Sequence, residues 1–249
     1  MAHHIAVAGK GGSGKTTFAA LLIRYLVKNK KGSILAVDAD PNANLNEALG
    51  VEVATVIADV LEATKNPKAI PAGMSKDIFI EYQLAQALVE TRDFDLLTMG
   101  RPEGPGCYCY PNDLLRKHLE TLSDNYDYMV IDSEAGLEHI SRRIIQHVTD
   151  LFVMSDASAR GIRSARRVRE LVQELQLPVA NQYLVITRAA GDLAPLREEI
   201  ERTGLPLQGV IPYDEQLVTF DTLSKPLFAL PADAAAVQAA NAVLDRCQF

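Results

Sequence analysis

Long apolar runs are missing from this chain: nowhere in its 249 residues does a stretch reach the roughly 18 apolar residues that a membrane-crossing helix needs. Cysteine is scarce as well. Cys107, Cys109 and Cys247 form an odd, sparse set that builds no disulfide framework, and the expected setting is the reducing cytoplasm. An excess of basic residues is also absent. Asp and Glu number 32 against 25 Lys and Arg, a net charge of −7. That disfavours a general nucleic-acid binder, which needs basic stripes to displace counterions. The opening Met1-Ala2-His3-His4 passes straight into an apolar segment without the shape of a signal peptide, and its two histidines are given no role. Internal repeats and low-complexity tails are lacking.

What is present fits one α/β domain over residues 1–249, with 48% hydrophobic and 23% charged residues. Short apolar runs at 5–8, 34–37, 128–131, 151–154, 183–186 and 208–211 read as buried strands. Helical spacing follows Gly14, where Phe18, Leu21, Leu22, Tyr25 and Leu26 share a face, and recurs over 138–147, 158–175, 193–203 and 232–245. Strand and helix alternate, so the expected architecture is a mostly parallel sheet with helices on both faces. Residues 55–125 read as a less regular region, with a Gly/Pro-rich patch over 100–106 and a helix over 111–124.

Between the first strand and first helix stands Gly9-Lys10-Gly11-Gly12-Ser13-Gly14-Lys15-Thr16, which satisfies G-x-x-x-x-G-K-[ST] in the required context. Glycines let successive backbone N–H groups turn around phosphate oxygens, and the helix N-terminus adds positive potential. Lys15 is placed to reach the β and γ phosphates of ATP, and Thr16 to offer its hydroxyl to Mg²⁺. The sheet thus predicts a P-loop NTPase fold. Lys10 is a second lysine in the loop, either a solvated charge or added positive charge where negative charge develops during phosphoryl transfer. Asp38-Ala39-Asp40-Pro41 follows the second strand, at the end of the sheet where open α/β folds bind ligands. It reads as a pair of functional carboxylates or as a solvated turn. Asp127-Tyr128-Met129-Val130-Ile131-Asp132 is an apolar strand ending in an acid, the form of a Walker B element, which would put Asp132 in the Mg²⁺ outer shell. Beyond it, Gly136 is a candidate γ-phosphate contact in a switch segment. His139 reads as a structural polar contact. Cys107-Tyr108-Cys109 is either two free thiols in a loop or half of a four-sulfur metal site completed by a two-fold partner.

The stretch Lys10 to Thr17 resembles the deviant P-loop of the MinD/ParA/nitrogenase iron protein class. That resemblance implies a nucleotide-sandwich homodimer in which Lys10 reaches the partner's nucleotide, with Asp38 supporting the Mg²⁺ shell and Asp40 orienting the attacking water. Gly106-Cys107-Tyr108-Cys109, Asp38-x-Asp40-Pro41 and Ala135-Gly136-Leu137-Glu138-His139 together resemble CooC-type ATPases, nickel-insertion accessory proteins for carbon monoxide dehydrogenase. The resemblance runs from the P-loop to Ile211-Pro212-Tyr213-Asp214. It implies Ni²⁺ or Zn²⁺ held by Cys107 and Cys109 of both subunits, ATP and ADP as ligands, and a carbon monoxide dehydrogenase as client. It also groups Thr17, Arg188, Pro212 and Asp214 with the nucleotide contacts. Thr187-Arg188 departs from the Asn-Lys pair with which relatives read adenine, and Arg188 is the expected substitute.

Two other readings compete. One is a positioning ATPase of the partition or cell-division kind. The other is an iron–sulfur electron donor, although no cysteine follows Gly136 until Cys247. Arginines 160, 163, 166, 167 and 169 are expected on a solvated, partly ion-paired helix face rather than a nucleic-acid stripe, since Glu170 and Glu174 follow. The Ala-rich end with its lone Arg246 lacks the basic amphipathic helix of membrane-targeting relatives.

Overall fold

A computed structural model describes residues 2–63, 70–100, 117–133, 147–247 and 249. Its strands are β1 (His3–Gly9), β2 (Ile34–Ala39), β3 (Leu88–Glu90), β4 (Asp95–Thr98), β5 (Tyr128–Ser133), β6 (Val148–Asp156), β7 (Val179–Ala189) and β8 (Leu207–Pro212). They form one sheet in the order β3-β4-β2-β5-β1-β6-β7-β8. All pairs are parallel except β3 with β4.

The central strands are apolar on both sides, and their alternation assigns each residue a face. Ile5, Val7, Ala36, Val130 and Phe152 join one core, packed under helix α1 (Lys15–Lys28) and helix Ala235–Leu244. Phe18 of α1 meets Phe152 with ring centroids 5.1 Å apart. Ala6, Leu35, Val37, Ile131, Leu151 and Val153 join the other core. Helices Ile57–Ala63, Lys76–Ala87 and Ala159–Glu174 cover it.

Helix Ala159–Glu174 shows how the pattern works. Ser158 caps it by accepting from the Gly161 N–H at 3.0 Å, and Ile162, Ala165, Val168 and Val172 turn inward. Its arginines stay off the buried face, and three of the five find local partners. Arg163 pairs with Glu199 at 2.9 Å, Arg166 with Glu170 at 2.7 Å, and Arg169 donates to the Thr203 carbonyl at 3.2 Å.

The expected strands are all present, several of them longer than their apolar runs. Over 193–203 the chain starts as a 3₁₀ turn, Ala194–Leu196, with Pro195 near its start, and becomes α-helical only over Arg197–Thr203. The last helix is shorter than 232–245. The described part of 55–125 is more ordered than its sequence suggests: it adds three helical segments, the edge strand β3 and its neighbour β4. Residues 117–123 are helical, whereas the rest of the expected 111–124 helix, and all but residue 147 of 138–147, lie outside the described residues. Among the described residues no helix is long and apolar enough to cross a membrane.

Candidate nucleotide-binding site

The loop between β1 and α1 is shaped by its glycines. Gly9 has φ +150°, and a side-chain carbon there would stand 2.4 Å from the Met154 carbonyl oxygen. Gly14 has φ +83° and begins α1, accepting from the Phe18 N–H at 2.9 Å with no side-chain cap. The first turn therefore presents its backbone N–H groups to the cleft above it. Ser13 is buried, and its N–H closes a turn onto the Lys10 carbonyl at 3.1 Å. Thr187, at the end of β7, donates its hydroxyl to the Ser13 carbonyl at 2.9 Å and ties the loop to the sheet.

A cleft of about 550 Å³ opens over this loop. Gly11, Gly12, Gly14, Lys15, Thr16 and Thr17 form its floor, Asp40 stands on one side and Arg188 on another. Lys15 is 7% exposed, with its ammonium 3.5 Å from the Lys10 carbonyl oxygen. Lys10 itself is exposed. Arg188 adopts φ +53° at an irregularity in the β7–β8 pairing, which turns it out of the ladder. Asp214 and Pro212 do not line the cleft. Both Asp214 oxygens serve the backbone, accepting from Gln216 and Leu217 to cap helix Glu215–Thr222 and from Ala236 at 2.8 Å. Gly9 lies beneath the floor rather than in it.

Asp38 and Asp132 come from segments far apart in sequence, yet are paired residues of the β2–β5 ladder. Asp38 is fully buried and accepts from the Leu45 N–H at 2.9 Å and the Asp40 N–H at 3.1 Å. Asp40 in turn accepts from the backbone and side-chain amides of Asn42 at 2.8 and 2.9 Å, which orients its carboxylate. Asp132 is 1% exposed, and neither of its oxygens has a hydrogen-bond partner. Burial pushes the Asp132 carboxyl up to about 7. The Thr16 hydroxyl and Lys15 oppose that rise, the former without reaching hydrogen-bond geometry, and Asp38 and Asp40 reinforce it. Burial pushes Asp38 up to about 6 against its two backbone donors. Two adjacent buried acids, one of them with both oxygens orphaned, fit a divalent cation beside the Thr16 hydroxyl.

Both acids bind protons more tightly folded than unfolded, so their contribution to stability is full at low pH and is lost as pH rises through about 6 to 7. Asp132→Asn is expected to raise the melting temperature of the nucleotide-free protein at pH 8, by on the order of 2 kcal/mol of stability, and to flatten its pH dependence. Mg²⁺ should stabilise the ADP complex more at pH 8 than at pH 5.5. Melting curves with the same slope between pH 5 and 8 in both proteins would count against this account.

Sequence reasoning passed over the cleft's other walls: Asn42, Asn44 and Glu47 after β2, and Asp221, Ser224 and Lys225 in the last turn of helix Glu215–Thr222 and just beyond it. No local motif marks them. Cys107, Cys109, Gly136 and His139 lie outside the described residues. Among the described residues, no group of three or more His, Cys, Asp or Glu side chains could hold a metal ion, and the free thiol is Cys247.

A glycine loop under a helix N-terminus, a buried lysine and paired acids at adjoining strand ends define a P-loop ATPase. The chain belongs to the CobQ/CobB/MinD/ParA nucleotide binding domain family, whose model matches residues 4–227. It is 45% identical over 231 residues, 91% of each chain, to an uncharacterized ATP-binding protein of Methanocaldococcus jannaschii. It is 28% identical over 230 residues to the carbon monoxide dehydrogenase accessory protein CooC of Rhodospirillum rubrum, covering 87% of this chain and 86% of that one. Among solved structures, the septum site-determining protein MinD of Pyrococcus horikoshii, complexed with Mg-ADP, superposes with a TM-score of 0.72 at 21% identity, covering 98% of this chain and 94% of that one.

Proposed function

We propose that this chain is an ATP-driven nickel chaperone, a homodimer that holds Ni²⁺ or Zn²⁺ through Cys107 and Cys109 of both subunits and supplies nickel to a carbon monoxide dehydrogenase. The observation that carries this reading is the Cys107-x-Cys109 pair in a P-loop ATPase, with the likeness to CooC over most of the chain behind it. Two sulfurs per chain are half of a tetrahedral thiolate site, so a two-fold partner is the simplest completion.

The cleft supplies the energy-coupling half. Phosphates sit on the N–H groups of residues 11–16 and against Lys15, with ATP and ADP as the ligands. Thr16, Asp38 and Asp132 hold Mg²⁺, which neutralises phosphate charge. Asp40, steadied by Asn42, orients the attacking water. Lys10, exposed in the loop between β1 and α1, is free to reach the nucleotide of a second subunit. Arg188 lies toward the base, where its guanidinium offers a stacking surface. The Asp214 side chain supports that wall through its caps, which leaves its backbone and Pro212 to contact nucleotide. The protein works without membrane or nucleic acid, in the cytoplasm.

Cys107→Ser with Cys109→Ser is expected to abolish tight Ni²⁺ or Zn²⁺ binding and metal-promoted dimerisation while ATP affinity stays within about twofold. Equilibrium dialysis and sedimentation with and without Ni²⁺ measure both. Unchanged metal stoichiometry in the double variant would remove the site and leave a positioning ATPase of the MinD/ParA kind, which the family match supports as much.

A further inference from the structure

Thr98, the last residue of β4, has no role in the site as described so far. It is 1% exposed, and its hydroxyl has no hydrogen-bond partner among the described residues. A buried hydroxyl left unpaired is costly, and its apolar neighbours Leu96 and Leu97 show that the strand needs none for packing.

Its place in the ladder supplies the reason. Asp38 is paired with Thr98 on one side and with Asp132 on the other. Two residues earlier, Ala36 is paired with Leu96 and Val130, and all three lie in the core beneath α1. Side chains two apart on a strand share a face, so Thr98, Asp38 and Asp132 form a buried polar row on the α1 face. Neighbouring strands lie about 4.8 Å apart, which brings the hydroxyl within reach of the Asp38 carboxylate, directly or through one water. Asp38 has acceptor capacity left, since each of its oxygens takes only one backbone N–H. The two strand ends are also joined by their backbones, with the Met99 N–H donating to the Asp38 carbonyl at 2.8 Å.

We infer that Thr98 is a positioning residue of the cation site: its hydroxyl holds the Asp38 carboxylate in place when a divalent cation is bound. It acts through Asp38 and touches neither nucleotide nor cation. The inference rests on the reading of Asp38 as a cation-site acid.

Thr98→Val removes the hydroxyl at nearly constant volume, and Thr98→Ser restores it. Calorimetric titration of ADP at stepped Mg²⁺ concentrations is expected to show apparent Mg²⁺ affinity about tenfold weaker in the valine variant and recovered in the serine variant. ADP affinity in EDTA should be the same in both. A hydroxyl with only a structural role would shift the melting temperature and leave the Mg²⁺ dependence alone, and that result overturns the inference. Asp38→Asn, run in parallel, separates the two levels. Loss of Mg²⁺ dependence in Asp38→Asn but not in Thr98→Val refutes the role of Thr98 alone; no effect in either refutes the reading of Asp38 beneath it. Thr98→Ala makes the same comparison should the valine variant fail to fold.

Discussion

Replacing Lys15 with alanine is expected to weaken ATP and ADP binding about 100-fold, whereas Lys10→Ala should keep nucleotide affinity and lose hydrolysis roughly a thousandfold. The two lysines sit five residues apart in one loop, but their surroundings differ. Lys15 is buried at the first turn of α1, and among the described residues its ammonium makes only a long 3.5 Å hydrogen bond to a carbonyl oxygen, which leaves it donors for phosphate. Removing it takes away a charge-assisted contact that ground and transition states share, and binding falls. Lys10 is exposed, and its side chain has room to reach outward. A cation contributed to a partner's site acts on charge that builds during transfer, so its loss shows in rate rather than affinity. Nucleotide titration together with single-turnover hydrolysis distinguishes the two. An equal loss of binding in both variants would contradict the in-trans role. Mixing Lys10→Ala with Lys15→Ala chains adds a sharper check, because hydrolysis should return only in mixed dimers in which the intact residues meet.

The second large effect falls on Asp40. Asp40→Asn preserves shape and the contacts with Asn42 but removes the charge, and hydrolysis is expected to drop roughly 10²–10⁴-fold with ATP affinity little changed. A carboxylate held by two amides from one neighbour is poor packing material and a good fixed base. Its backbone N–H also donates to Asp38, so the proposed water-orienting and cation-site acids share one turn. A hydrolysis rate within about threefold of the parent would assign Asp40 to the turn alone.

Local chemistry made much of this legible from sequence. The P-loop is contiguous, and its conformation depends on glycine at positions such as Gly9 and Gly14, where a side chain would collide or be strained. The central strands were equally plain, because a strand buried on both faces has to be apolar throughout. Strands β3 and β4, at one end of the sheet, were not. Leu88–Glu90 directly follows a helix, and Asp95–Thr98 carries only two apolar residues, so the pairing of β4 with β2 and of β3 with β4, rather than composition, makes them strands. Asp214 shows a structural part that its motif did not reveal. Its neighbourhood resembles a nucleotide contact, yet its oxygens are taken by three backbone donors from two helices, one of them 22 residues away.

By itself the sequence determined that the chain folds as a two-sided α/β sheet and carries a phosphate loop, because apolar alternation and glycine placement act over a few residues. Tertiary structure alone decided what stands beside that loop. Strand order brings Asp132 next to Asp38 and Asp38 next to Thr98, and it sets the Thr187 hydroxyl on the Ser13 carbonyl across 174 residues. No local pattern encodes which strands become neighbours. That choice comes from burying both faces of the sheet at once, and it turns scattered acids and hydroxyls into one site.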